Sequence, residues 1–383
     1  MGLLKDKAFL SSMSGHLGID LLNGQRPMLL TVMSIPLGLS NAAIGLVSTI
    51  YVLVASLSQP LFGMISDRIG PRWIAAGGIL WMCTFFSIAL FQPGYASLVL
   101  LVLASLGSAA FHPAATAEAT ERARARFAEA ETTATSLFFF TGQAGYSLGP
   151  IIGGPILDRW GPPGLLMLAI AVAPLSVAAG RYLGVAPESS KTHDQANNHA
   201  VAAASKRLIL PLILMTGFRS WAQSNLTAFI PKFHSDLGAS ASEYGLIAGF
   251  FMGGSALGGV AGGWLADHFG KRKLTFWSLL LSAVPLALYP VLGRDGLAYV
   301  LAPVAGALTG ASLSVSVVLA QRVIPGRAGA ASGLVLGFMF TCGALGTWLS
   351  GVQADLSGFQ AMFWTTAALC LAGAMAALLM ESD

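Results

Sequence analysis

Apolar stretches of about 20 residues recur along this chain with short polar interruptions, near 9–37, 41–66, 73–91, 95–119, 129–157 and 163–184, and again near 207–231, 242–266, 274–292, 297–320, 328–354 and 359–380. A helix needs about 20 apolar residues to cross a hydrocarbon core. The pattern therefore predicts an all-α membrane protein of twelve transmembrane helices, with no room for a sizeable soluble domain. Composition agrees, since 55% of the 383 residues are hydrophobic and 10% charged, whereas soluble domains carry roughly 25% charged residues. The 45 glycines and 18 prolines suit such a bundle, where small residues let helices approach and neighbours re-satisfy backbone groups freed at kinks. Between the two groups of six spans lies the polar run Pro187–His199. The expected organisation is an N-terminal six-helix half at 1–185, a cytoplasmic linker at 186–205 and a C-terminal six-helix half at 206–383.

Charge sets the sidedness. With the N-terminus inside, the cytoplasmic ends hold Lys5, Lys7, Arg68, Arg72, Arg122, Arg124, Arg126, Arg181, Lys191, Lys206, Arg207, Lys271, Arg272, Lys273, Arg322 and Arg327. The outer loops hold Arg159 and Arg294, with Lys232 near the rim. By the positive-inside rule both termini are cytoplasmic. A net charge of +4 is too scattered for a nucleic-acid surface. Cys83, Cys342 and Cys370 sit in apolar runs without CxxC spacing, which argues against a disulfide framework or a structural zinc site. The first apolar stretch is interrupted by Asp20, Asn23 and Arg26 and lacks a small-x-small cleavage site, so it reads as a span and not as a removed signal peptide.

The halves repeat. Gly63, Asp67, Arg68, Gly70 and Arg72 after span two correspond to Gly263, Asp267, His268, Gly270 and Arg272 after span eight. Gly149 to Asp158 corresponds to Gly346 to Asp355, and Glu121-Arg122 to Gln321-Arg322. Ordered matches of this kind indicate duplicated six-helix units. In the loop motif, glycine permits close approach and aspartate can accept from a helix N-terminus or an arginine. The pair reads as a conformational latch, the plainer alternative being topology-setting charge at a short turn.

On these residues the sequence resembles the major facilitator superfamily, whose signature after span two is matched by Gly63, Asp67, Arg68, Gly70 and Arg72, with Pro71 and His268 as departures. Span five carries Gly145, Gly149, Pro150, Gly153 and Gly154, similar to a motif associated with antiporters in that superfamily. Gly15-His16-Leu17 with Asp20, Gln59-Pro60, and Gly107-Ser108-Ala109-Ala110-Phe111-His112-Pro113 together resemble the fosmidomycin-resistance branch of bacterial efflux transporters. The resemblance implies a proton-coupled antibiotic-efflux carrier of the bacterial inner membrane that works by alternating access, as a monomer and without a cofactor.

Polar side chains inside spans are costly and so are functional candidates. His16, Asp20, Asn23 and Pro27 fall on one helix face. Asp20 is the one acid deep in a span, and beside a histidine it suits proton loading. His112 and Glu118 complete the expected proton-coupling set. The alternative is a structural ion pair of Asp20 with Arg26 or His112. Arg26 and Arg219 carry forked donors that match phosphate, phosphonate or carboxylate oxygens. With Asn23, Gln143, Gln223 and Asn225 they form the expected binding set for an anionic or amphiphilic cargo. Tyr51 and Tyr146 offer hydroxyls or simply pack.

No P-loop is present, so the ion gradient is the expected energy source. The same fold with a metabolite, lipid or metal cation as cargo stays open, His16, Asp20 and His112 being the ligands in the last case, although three mixed ligands are a weak metal signal. An intramembrane enzyme is disfavoured because neither HExxH nor GxSxG occurs in the spans.

Overall fold

The computed structural model describes residues 5–126, 131–184, 206–292, 296–323 and 328–380, with no strand among them. Span one comprises α1 (Lys7–Asn23) and α2 (Gln25–Leu37), joined through Gly24 with helical dihedrals. Then come α3 (Asn41–Ile69), α4 (Pro71–Phe91), α5 (Ala96–Arg126) and α6 (Glu131–Gly164), and span six is formed by α7 (Leu166–Val172) with α8 (Pro174–Tyr182). In the second half α9 (Lys206–Asp236), α10 (Ala241–Phe269) and α11 (Lys271–Leu292) are followed by span ten, made of α12 (Ala298–Gly310) and α13 (Leu313–Val323). α14 (Ala328–Leu378) carries the last two spans, which meet at Gly358, where φ is 79°. The twelve-helix expectation is met. Spans one and seven are not among the helices apolar enough to cross a bilayer unbroken, and they are the spans that carry Asp20, Arg26 and Arg219. The linker expected at 186–205 lies outside the described residues, as do Arg294 and Arg327.

Two compact units emerge. The first comprises Met1–Gly38, Ile50–Lys191 and Ser240–Gly249, the second Leu39–Thr49, Thr192–Ala239 and Phe250–Asp383. The sequence repeat is visible in their backbones, because the left-handed glycines Gly38 and Gly238, and Gly70 and Gly270, recur 200 residues apart. At Gly70 and Gly270 φ is 95° and 93°, a conformation that costs glycine nothing and other residues a good deal. That requirement explains the glycine in each loop motif.

Glycines also set the packing of the first unit. A Cβ at Gly78 of α4 would lie 2.6 Å from the carbonyl oxygen of Gly107 in α5, so these helices touch backbone to backbone. Gly145 and Gly149 of α6 do the same against Leu17 and Leu21 of α1, while Gly142 and Gly153 make room for the side chains of His16, Asp20 and Gln25. In the second unit Gly254, Gly258 and Gly262 of α10 meet Pro303, Ala307 and Ala311. A second core there gathers Met215, Leu279, Leu319, Met339 and Ala377. Without a hydrophobic drive between helices in lipid, this close contact is a main source of association.

One boundary differs from expectation. The apolar run ends near 119, yet α5 continues to Arg126. Its extension is held by a buried charge cluster: Arg122 Nε donates to Glu118, and Arg122 Nη1 lies 3.3 Å from Asp6 Oδ2. Glu118 Oε2 accepts from Gly184 N at 3.2 Å, and Asp6 caps α1 by accepting from Ala8 N and Phe9 N at 3.0 and 2.9 Å. The cluster ties the ends of α1, α5 and α8 together. Removing one partner from a buried ion pair typically costs about 3–5 kcal/mol. Arg122→Gln should therefore lower the thermal midpoint of the purified protein by many degrees, and an unchanged midpoint would show that the cluster is not structural.

Candidate functional site

Within the first unit the predicted face of α1 becomes a site. Asp20 Oδ2 lies 3.4 Å from His16 Nε2 and Asp20 Oδ1 lies 3.5 Å from His112 Nε2. The second histidine comes from α5, next to Pro113. Each ring is anchored through its other nitrogen, His16 Nδ1 to the Phe138 carbonyl at 2.9 Å and His112 Nδ1 to the Ser108 carbonyl at 2.8 Å. A carbonyl oxygen only accepts, so each Nδ1 is the donor. Both Nε2 atoms are thereby left facing a carboxylate oxygen. Neutral rings would oppose lone pair to lone pair, whereas a proton at either Nε2 turns the contact into a charge-assisted hydrogen bond. The imidazole of His16 stacks on Phe138 at 4.4 Å. A Cβ at Gly142 would lie 2.7 Å from Asp20 Oδ2 and overlap the His16 ring, so α6 must be glycine there.

A hydrogen-bond chain leads from this site to a guanidinium. Asn23 Nδ2 donates to Asp20 Oδ1 at 2.7 Å and to Ser108 Oγ at 3.0 Å, and Tyr51 donates to Asn23 Oδ1 at 2.7 Å. The Tyr51 ring lies 5.0 Å from the guanidinium carbon of Arg26, which also donates to Tyr146 at 3.2 Å. No carboxylate among the described residues pairs with Arg26, and its Nε is buried without a partner. The alternative ion pair of Asp20 with Arg26 is not formed. The helix runs on through Gly24, whose N–H bonds the Asp20 carbonyl at 2.9 Å, so Arg26, six residues on, lies on another side of it, and the carboxylate meets the histidines instead.

In the second unit Arg219 is 3% exposed, and its Nε donates to the Thr309 carbonyl at 2.9 Å. Thr309 Oγ1 donates to Gln223 at 2.7 Å, and Gln223 donates to Ser255 at 3.1 Å. Asn225 donates to Thr366 at 2.6 Å. Arg219 and Gln223 therefore meet at Thr309, Asn225 bonds separately to Thr366, and no acid among the described residues pairs with Arg219.

The remaining expected residues fall elsewhere. Glu118 belongs to the charge cluster with Arg122 and Asp6 and does not touch Asp20. Gln143 is exposed on α6. Asp67 and Asp267 are exposed, with no hydrogen bond or ion pair among the described residues. Arg72 lies over Trp73 at 4.6 Å, and Gly63 and Gly263 have no neighbour closer than 3.8 and 3.4 Å to an added Cβ. Gly145, Gly149 and Gly153 form the close face toward span one, while Gly154 meets the carbonyl of Ala241. Pro150 is buried, and its carbonyl lies against Gly245. The Tyr51 hydroxyl, which the sequence left open between ligand and packing, bonds to Asn23, and Ser108, Thr309 and Ser255 were not singled out by sequence as ligands.

The atoms of His16, Asp20 and His112 lie within 4.8 Å of one another. A divalent ion is thus a chemically sensible competitor of the proton, with Nε2 of each ring free and Nδ1 anchored as in many metal sites.

Comparison with known proteins places this architecture. A family model described as Major Facilitator Superfamily matches residues 9–222 and 212–383. The uncharacterized MFS-type transporter YfnC of Bacillus subtilis (strain 168) is 30% identical over 385 residues, covering 95% of this chain and 90% of its own. The fosmidomycin resistance protein of Escherichia coli (strain K12) is 28% identical over 353 residues, covering 88% and 84%. Among solved structures, a bacterial homolog of the human lysosomal transporter Spinster superposes with TM-score 0.77 at 15% identity over 97% of this chain and 95% of that one. The nucleoside transporter NupG gives 0.75 at 16%, over 98% and 100%. With its full length matched by the family model and its twelve-helix fold shared with solved carriers, the chain belongs to the Major Facilitator Superfamily and is a multi-pass membrane transporter.

Proposed function

We propose that the protein is a proton-coupled exporter of small anionic compounds, of the fosmidomycin-resistance type, working by alternating access in the bacterial inner membrane with both termini in the cytoplasm. The observation that carries this reading is the carboxylate of Asp20 set between two anchored imidazoles. It is a place where a proton changes the sign of a local interaction. Arg26 and Arg219, each without a carboxylate partner among the described residues, supply the attraction for an anion. The likeness to the fosmidomycin resistance protein supports the cargo class, and the basic loops support the orientation.

Coupling follows from linkage. If the anion binds near Arg26, the Tyr51–Asn23 chain connects its site to Asp20, and whatever a proton does to anion affinity the anion does to proton affinity. Antiport requires the protonated site to bind the anion less well. We place that change at Asp20 and its two histidines, whose contacts a proton alters.

Reconstitution in proteoliposomes with fosmidomycin and an imposed pH gradient tests the reading. Accumulation should follow the proton gradient, and transport that is indifferent to it would refute the coupling. A requirement for Zn²⁺ or Mn²⁺ in place of the gradient would instead select the metal-cation reading. Arg219→Gln tests the anion preference, because it keeps donors and removes charge. Affinity for an anionic cargo should fall by about 10- to 100-fold, as for a lost charge-assisted contact, while a neutral analogue loses less than about threefold. Equal losses would make Arg219 a structural residue.

A further inference from the structure

Two aspartates outside the loop motifs make the same contact in pseudo-equivalent places. Asp158, near the end of the span carried by α6, accepts from Ala241 N at 2.7 Å through Oδ1 and from Ser242 N at 2.8 Å through Oδ2. The contact lies within the first compact unit, which includes residues 240–249. Asp355, the counterpart on α14, accepts from Asn41 N and Ala42 N, both at 2.8 Å, within the second unit. Each carboxylate spreads its two oxygens over the first two amides of a long helix, α10 in one case and α3 in the other. Those amides have no partner inside their own helix, and the helix dipole adds to the attraction. Gly154 and Gly351 bring the chains close enough, a Cβ at Gly154 meeting Ser242 Cα at 2.9 Å and one at Gly351 meeting Ala42 Cα at 3.1 Å.

The far ends of the same two helices bear Asp67 and Asp267, which are exposed and unbonded among the described residues. α3 and α10 are thus each held at the start and free at the finish. We propose that Asp158 and Asp355 are a pair of conformational latches, and that the transport cycle transfers the hold on α3 and α10 from their first turns to the motif aspartates at their last turns. The proposal rests on the alternating-access reading. Four carboxylates of one chemistry, two at each end, then bias one two-state element in opposite directions. Differential contacts of this kind are what a population shift needs.

The test needs no cargo. A single reporter cysteine at Gln143, on the exposed face of α6, is placed in a background with Cys83, Cys342 and Cys370 replaced by alanine. It is labelled with a membrane-impermeant maleimide from either side in oriented vesicles. Asp158→Asn with Asp355→Asn should raise labelling from the side that is slow in the parent by about tenfold, the size of a typical coupling. Asp67→Asn with Asp267→Asn should shift the ratio the other way. Unfolding would raise both sides together, so opposite shifts report the latch alone. Ratios that stay at the parental value in the Asp158/Asp355 variant overturn the proposal. A shift in the same direction from both double variants also overturns it. If the parent labels equally and fast from both sides, alternating access itself fails, and the latch with it.

Discussion

Asp20→Asn should abolish proton-driven accumulation while leaving cargo-for-cargo exchange in place. The substitution keeps the hydrogen bond from Asn23 within reach but removes the negative charge that the Nε2 atoms of His16 and His112 face. Proton and cargo then bind independently, and the lost coupling corresponds to about 100-fold in gradient-driven uptake, near the top of the usual range for linked sites. His16→Gln and His112→Gln each leave one imidazole facing Asp20 and should cost about tenfold. A further expectation separates this site from the charge cluster on α5. Glu118→Gln should reduce stability without changing the pH profile of transport. Undiminished proton-driven uptake by Asp20→Asn would remove the carboxylate from the mechanism.

Gly145→Ala should destabilise the first unit strongly. A Cβ at this position overlaps the carbonyl oxygen of Leu17 and lies 2.9 Å from its carbon and 3.0 Å from its Cα. Backbone atoms cannot swing aside as a side chain would. The cost should therefore reach about 3 kcal/mol, the upper end for overpacking, and appear as a large fall in thermal midpoint and in yield. Gly77→Ala is the internal comparison. No atom lies within 4 Å of a Cβ there, and alanine favours a helix by about 1 kcal/mol over glycine. Its midpoint should hold or rise. If both variants behave alike, α6 does not pack on span one through its glycine face.

Much of the fold was legible because lipid imposes a simple code. Apolar length gave the spans, and the recurrence of Gly70 at Gly270 gave the duplicated halves, for which the left-handed backbone supplies a physical reason. The α1 face was legible too, since His16 and Asp20 stand one helical turn apart and Asn23 three residues beyond. What stayed hidden depends on neighbours brought in by other helices. Tyr51 has no pattern of its own in α3, and its role exists because its hydroxyl meets Asn23. Thr309 acts on Arg219 through a backbone carbonyl, which no side-chain motif encodes. Arg26 stands six residues beyond Asp20, about 240° around a helix of 3.6 residues per turn, so closeness in sequence suggested a pair that the helix geometry does not make. The extension of α5 to Arg126 was missed for a related reason, as hydropathy sees the charges of Glu118 and Arg122 but not that they bond to each other.

The charge cluster around Arg122 makes α1 a lever clamped at its base. Asp20 stands 14 residues above Asp6, or about 21 Å along a helix rising 1.5 Å per residue. His16 rides on α1 with Asp20, so the contact that a tilt can alter is the one to His112 on α5, which at 3.5 Å is about 0.7 Å longer than a charge-assisted hydrogen bond. At that radius a tilt of about 2° covers the difference. Closing the contact between Asp20 and His112 therefore asks of α1 only a small angular displacement, and a rod pivoting about its base swings farther with distance from it, so that Arg26, six residues beyond Asp20, moves more than Asp20 does.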